Sequence, residues 1–116
     1  DAAERQFVRM DYHETVAEIF RNHPDVDGIL CSNDVIAAEI IQYCRRHEID
    51  IPGRLKLIGY DDTRLASLCS PQLTTIHQPV EDICRYAVEN IIHASSGRVV
   101  PTCAVFPVTL VERETT

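Results

Sequence analysis

Three short apolar runs, Gly28 to Cys31, Leu55 to Tyr60 and Leu73 to His77, each stop abruptly at polar residues, and helix-patterned stretches separate them. That alternation narrows the possible folds more than any other feature of the chain. Strand, helix, strand in repeating order makes parallel pairing beside a layer of helices the natural outcome. The runs are short and rich in aliphatic and β-branched residues, as buried parallel strands are. In an open α/β sheet, ligands sit in the crevice outside the carboxyl ends of the strands. Asp61, after Gly59-Tyr60, and Gln78, after Ile76-His77, are therefore the first candidates for ligand contact.

The rest of the chain supplies the helices. Tyr12, Val16, Ile19 and Phe20 fall on one face at a 3.6-residue period, which predicts a helix over 11–22 that His23-Pro24-Asp25 stops. The stretch ahead of it, with Arg5, Phe7 and Arg9, reads as an incoming strand or a loop. Ser32-Asn33-Asp34 favours a turn and a helix cap, and from Asp34 to about His47 the residues Ile36, Ala37, Ile40, Ile41 and Cys44 share a face. Asp34 at the start of that helix and Arg45-Arg46 at its end suit the helix dipole. A turn at Asp50-Ile51-Pro52-Gly53 leads into the second run, and Thr63 to Leu68 predicts a short helical turn before the third. Pro79 stands where a long helix should begin. Its stripe of Val80, Ile83, Cys84, Ala87, Val88, Ile91 and Ile92 is the clearest in the chain, and Gly97 ends it. Cys103 to Phe106 and Val108 to Val111 alternate around Pro107, so one or both are expected as edge strands.

Composition limits what this scaffold does. With 116 residues the chain is one domain at most, and a formal charge of -7 makes direct contact with nucleic-acid phosphates by these residues unfavourable. No apolar run approaches the ~20 residues of a membrane span, so no membrane partner is expected. The start of the chain has no signal-peptide pattern. Five cysteines are scattered without a CxxC pair, and the five histidines have no metal-ligand spacing. Neither a phosphate-binding glycine loop nor a Gly-x-Ser-x-Gly elbow is present. Asp61 and Asp62 are adjacent, and neighbours in an extended chain point to opposite sides, so they are not expected to act on one atom. No catalytic residue, cofactor or metal is expected. Asp61 also has a reading as a cap for the turn near Thr63, and for Asp62 the cap is the favoured one. Gln78 suits ligand contact and the N-cap of the Pro79 helix equally. Tyr60 is expected in the core.

Gly59-Tyr60-Asp61-Asp62 followed by Ser70-Pro71-Gln72-Leu73-Thr74-Thr75-Ile76-His77-Gln78-Pro79 resembles the effector-binding core of the LacI/GalR family of bacterial transcription repressors. Asp27 to Asp34 upstream and the ending Leu110-Val111-Glu112-Arg113 extend the resemblance in register from about Asp25 to Thr116. It implies an α/β fold, a Rossmann-like parallel sheet flanked by helices, forming the C-terminal portion of a two-lobed, periplasmic-binding-protein-like core. Residues 1–78 would belong to the C-terminal lobe, 79–107 to the other lobe, and 108–116 would return to the first. The implied function is sensing of a small effector, a sugar or sugar phosphate, by a cytoplasmic, non-enzymatic repressor. The details look nearest to sugar-utilisation repressors of the sucrose type. Operator DNA would be bound through an N-terminal helix-turn-helix absent from this chain. A periplasmic sugar-binding protein of a transport system shares the two-lobed fold and is the alternative; five free cysteines argue against its oxidising compartment.

Within the resemblance, Asp61 matches the acid that contacts the effector, Asn33 the polar residue after the first strand, and Gln78 the one closing the third. A carboxylate bonds hydroxyls more strongly than a neutral acceptor does, and an amide both donates and accepts. Val35 and Ala38 stand on the otherwise polar face of the second helix, among Glu39, Gln42 and Arg46. Small apolar residues there allow close approach of a second copy. The resemblance adds Leu68 and Cys69 to that homodimer interface.

Overall fold

A computed structural model describes residues 12–116; Asp11 and the stretch with Arg5, Phe7 and Arg9 lie outside the described residues. Helix α1 spans Tyr12–Asn22, β1 Gly28–Leu30, α2 Asp34–Arg46, β2 Lys56–Asp61, α3 Arg64–Leu68, β3 Thr74–His77, α4 Val80–Ser95 and β4 Thr109–Val111. The sheet order is β1-β2-β3-β4. β1, β2 and β3 are parallel, as the alternation predicts, and β4 joins β3 antiparallel with Thr75 opposite Val111. Of the two segments around Pro107, only the second becomes an edge strand; Cys103 to Phe106 does not.

Helix α2 packs on β2 and touches both α1 and α3. Ala37, Ile40, Ile41 and Cys44 enter the core with Leu55, Leu57, Leu73, Ala66 and Val16. Each fully buried leucine contributes about 1.5–3 kcal/mol relative to exposure. Tyr43 is buried beside them, stacked on Phe20 at 5.8 Å, whereas Ile36 only lines the edge of the cluster. β1 departs from expectation: it is not a buried strand, and Leu30 is 70% exposed. The cause is its place at the margin of the sheet, where β2 is its one strand neighbour among the described residues.

The tail after β4 closes the opposite end of the sheet from the strand termini that carry Asp61 and Gln78. Thr115 is fully buried. Its carbonyl accepts from Leu57 N–H at 2.8 Å, and its hydroxyl donates to Leu57 O at 2.6 Å and accepts from Thr74 N–H at 2.9 Å. Helix α4 is different in kind, since none of its residues is buried and Val80, Val88, Ile91 and Ile92 are exposed. Gly97 ends it as predicted: at φ +76 it lets its own N–H reach Ala94 O and that of Arg98 reach His93 O.

Candidate functional site

The chain leaves β2 through two consecutive aspartates in left-handed backbone, Asp61 at φ 104 and Asp62 at φ 50. Such conformations cost on the order of 1–3 kcal/mol each for a residue with a Cβ, so neighbouring groups must hold them. A set of hydrogen bonds does so. Asp62 N–H donates to Thr75 Oγ1 at 3.4 Å, and Thr63 donates to Asp34 Oδ2 through its N–H at 2.7 Å and its hydroxyl at 2.9 Å. Arg113 Nη2 donates to Asp62 Oδ1 at 2.8 Å while Nη1 donates to Leu73 O. The Arg113 hydrogen bond holds the Asp62 carboxyl below the usual aspartate range; burial works against it, and the bond to His77 Nδ1 at 3.0 Å adds to it.

These contacts overturn two expectations. Asp62 does not cap α3: Thr63 occupies the N-cap position, without a side-chain cap bond, and the Asp62 carboxylate is spent on Arg113 and His77. A charge-assisted bond from a guanidinium satisfies a carboxylate better than a single backbone N–H, and Arg113 arrives from a segment that local spacing does not reveal. Gln78 is not an N-cap either, because Pro79 takes that position and Gln78 Nε2 instead donates to Asp61 Oδ1 at 2.6 Å.

Asp61 and Gln78 therefore stand together at the carboxyl ends of β2 and β3, as the sequence predicts. They line a cavity of about 470 Å³ with Asp62, His77, Glu81 and Asp82. Asp61 offers acceptor oxygens and Gln78 an amide, a pairing suited to hydroxyl groups. Both aspartates reach the cavity, but with different partners: Gln78 for Asp61, and Arg113 and His77 for Asp62. Among the described residues, no three His, Cys, Asp or Glu side chains are placed to hold a metal ion. Burial pushes the Cys31 and Cys44 thiols up to about 11, which keeps them protonated near neutrality.

Asn33 is elsewhere. It stands at the end of β1, where its Oδ1 accepts from Ile36 N–H at 2.9 Å and caps α2, and it does not line the cavity. Tyr60 is not in the core, as it alternates with Gly59, and Gly59 is the one that faces α2; the ring instead lines a shallow surface with Leu30, Cys31 and Ser32. Sequence reasoning missed Asp34, which is buried beneath the site and not merely a partner of the helix dipole. Its partners lie 29 and 41 residues away, so no local pattern marks it.

Residues 1–116 match the model of the periplasmic binding protein-like domain over the whole chain. The ribose operon repressor of Bacillus subtilis is 32% identical over 107 residues, 91% of this chain and 33% of the repressor. The chain belongs to the periplasmic binding protein-like domain family, in its LacI/GalR branch. The sucrose operon repressor of Streptococcus mutans is 35% identical over 76% of this chain and 28% of its own length. Among solved structures, a LacI family regulator from Arthrobacter sp. FB24 in complex with lactose superposes with a TM-score of 0.78 at 34% identity, over 90% of this chain and 40% of that one. The lac repressor dimer bound to operator and an anti-inducer gives 0.82 at 26% identity, over 90% of this chain and 36% of the repressor. This LacI/GalR chain thus spans about a third of the length of the curated relatives it matches.

A second feature of the LacI/GalR chain lies on the far side of α2. Ala38, Leu68 and Cys69 line one groove between α2 and α3, with Ile41, Gln42, Arg45, Leu65 and Ser70. Val35 on α2 and Leu68 on α3 are 56% and 66% exposed.

Proposed function

We propose that this chain is the effector-sensing and dimerisation region of a bacterial transcription repressor, and that its effector is a small sugar. The observation that carries the reading is Asp61, held on left-handed backbone at the end of β2 with its carboxylate bonded to the Gln78 amide in the wall of an open cavity. Relatives named for ribose and sucrose operons, and a structural neighbour in complex with lactose, support a sugar over other small molecules and a repressor over a transport protein. Asn33, after the carboxyl end of β1, is the further effector contact in this reading. The bare face of α4 supports assigning 79–107 to a second lobe, with β4 returning to the first. Operator DNA is bound by a helix-turn-helix outside this acidic chain. Free thiols throughout fit a cytoplasmic protein.

An effector bound between two lobes biases their closure only through unequal affinity for the open and closed forms. Calorimetry of the full-length protein against ribose, sucrose, galactose and lactose is the test. Asp61→Ala is expected to lose about 1.5–3 kcal/mol of sugar binding, the range for hydrogen bonds to a charged group. Unchanged affinity in a folded Asp61→Ala protein overturns the assignment.

A further inference from the structure

We propose that Asp34 is a positioning residue for effector binding, one buried carboxylate that sets where Asp61 stands. The proposal rests on the reading of Asp61 as an effector contact. Asp34 is 1% exposed and does not reach the cavity, yet its oxygens accept three bonds from groups around it. Oδ2 takes the Thr63 N–H and hydroxyl, and Oδ1 takes the Thr75 hydroxyl at 2.5 Å. That same Thr75 oxygen accepts from Asp62 N–H. The strained pair Asp61-Asp62 is thereby held through Asp34 at its C-terminal side, at Thr63 directly and at Asp62 through Thr75.

Asp34 is also the first residue of α2, immediately after Asn33. One carboxylate joins the turn after β1, the turn after β2 and the middle of β3, the elements that bear Asn33, Asp61 and Gln78. Gly59 makes room for it. A Cβ at that position would overlap Asp34 Oδ1 and stand 2.8 Å from Leu73 Cδ2, so the backbone of β2 must stay bare for the carboxylate to reach the turn. Every acceptor bond of Asp34 runs to the segment that shapes Asp61 or to its support.

Two measurements on the full-length protein test this. In hydrogen exchange, Asp34→Ala is expected to speed the Asp62 and Thr63 amides roughly tenfold or more, the scale of losing a hydrogen bond to a charged group. The Cys31 and Leu57 amides, which bond Ile58 O and Thr115 O, are expected to hold. Asp34→Asn should retain most of the protection, because its oxygen still accepts from Thr63 N–H and its amide can donate to Thr75. Calorimetry with whichever of ribose, sucrose and lactose binds supplies the second readout. Asp34→Ala should weaken binding about tenfold when Asp61 is present and add little in an Asp61→Ala background. Equal acceleration at Cys31 and Leu57, or equal affinity loss in both backgrounds, reduces Asp34 to a core residue and overturns the proposal. If none of the three sugars binds, the exchange pattern decides alone. An Asp61→Ala protein that binds as tightly as its parent removes the effector reading and this proposal with it. Should Asp34→Ala fail to fold, Thr75→Val, which deletes only the bridging hydroxyl, takes its place in both measurements.

Discussion

Asp62 shows how a single side chain changes meaning between sequence and structure. Spacing alone makes it a helix cap, but the fold turns it back onto Arg113 and His77. Because Arg113 lowers its folded-state carboxyl relative to the unfolded chain, ionised Asp62 stabilises the protein fully above the ordinary aspartate range, about pH 4. That contribution is lost as pH falls through the depressed folded value. Urea unfolding of wild type and Asp62→Asn should therefore differ by on the order of 1 kcal/mol at neutral pH, with the gap closing in acid. A gap that stays constant across that range would refute the pairing. The place of Asp61 and Gln78 at adjacent strand ends was legible, because it needs only two strand boundaries. Asp34 and Arg113 were not, since their partners are distant in the chain and nothing about a lone aspartate or arginine discloses burial.

At the scale of elements, hydrophobic periodicity placed each of the described helices and strands within a few residues. It could not tell which apolar faces are covered. β1 reads as buried and is exposed because it lies at a sheet margin, and α4 carries the clearest stripe yet buries nothing. Periodicity records what a segment is built to meet, not whether the partner is in the same stretch of chain. A 16-residue helix that buries none of its residues, although Tyr86 meets Phe106 edge to face, is only marginally stable in water despite the Gly97 cap. Hydrogen exchange on the isolated 116-residue chain should accordingly show α4 amides exchanging well before those of α2, whose Ala37, Ile40, Ile41 and Cys44 are buried. Equal protection in the two helices would mean that α4 has found cover.

For the whole molecule, the groove between α2 and α3 is where the homodimer reading is at risk. Ala38, Leu68 and Cys69 line that groove and Val35 is exposed on α2; in the proposed two-fold contact the same patch must meet itself. Ala38→Glu would bring like charges together near the axis and should convert dimers to monomers in sedimentation at low micromolar concentration. A variant that remains dimeric would move the interface elsewhere. At this scale too, the tail has a consequence for how the protein is made in the cell. Leu57 and Thr115 bond across 58 residues, and Thr74 and Thr115 across 41. A chain emerging from the ribosome can assemble α1, β1 and α2 early, but the base of β2 and β3 keeps unmet amides until Thr115 clears the exit tunnel. Completion of this sheet therefore waits for Thr115, and a nascent chain stalled before it should be a substrate for chaperones and proteases.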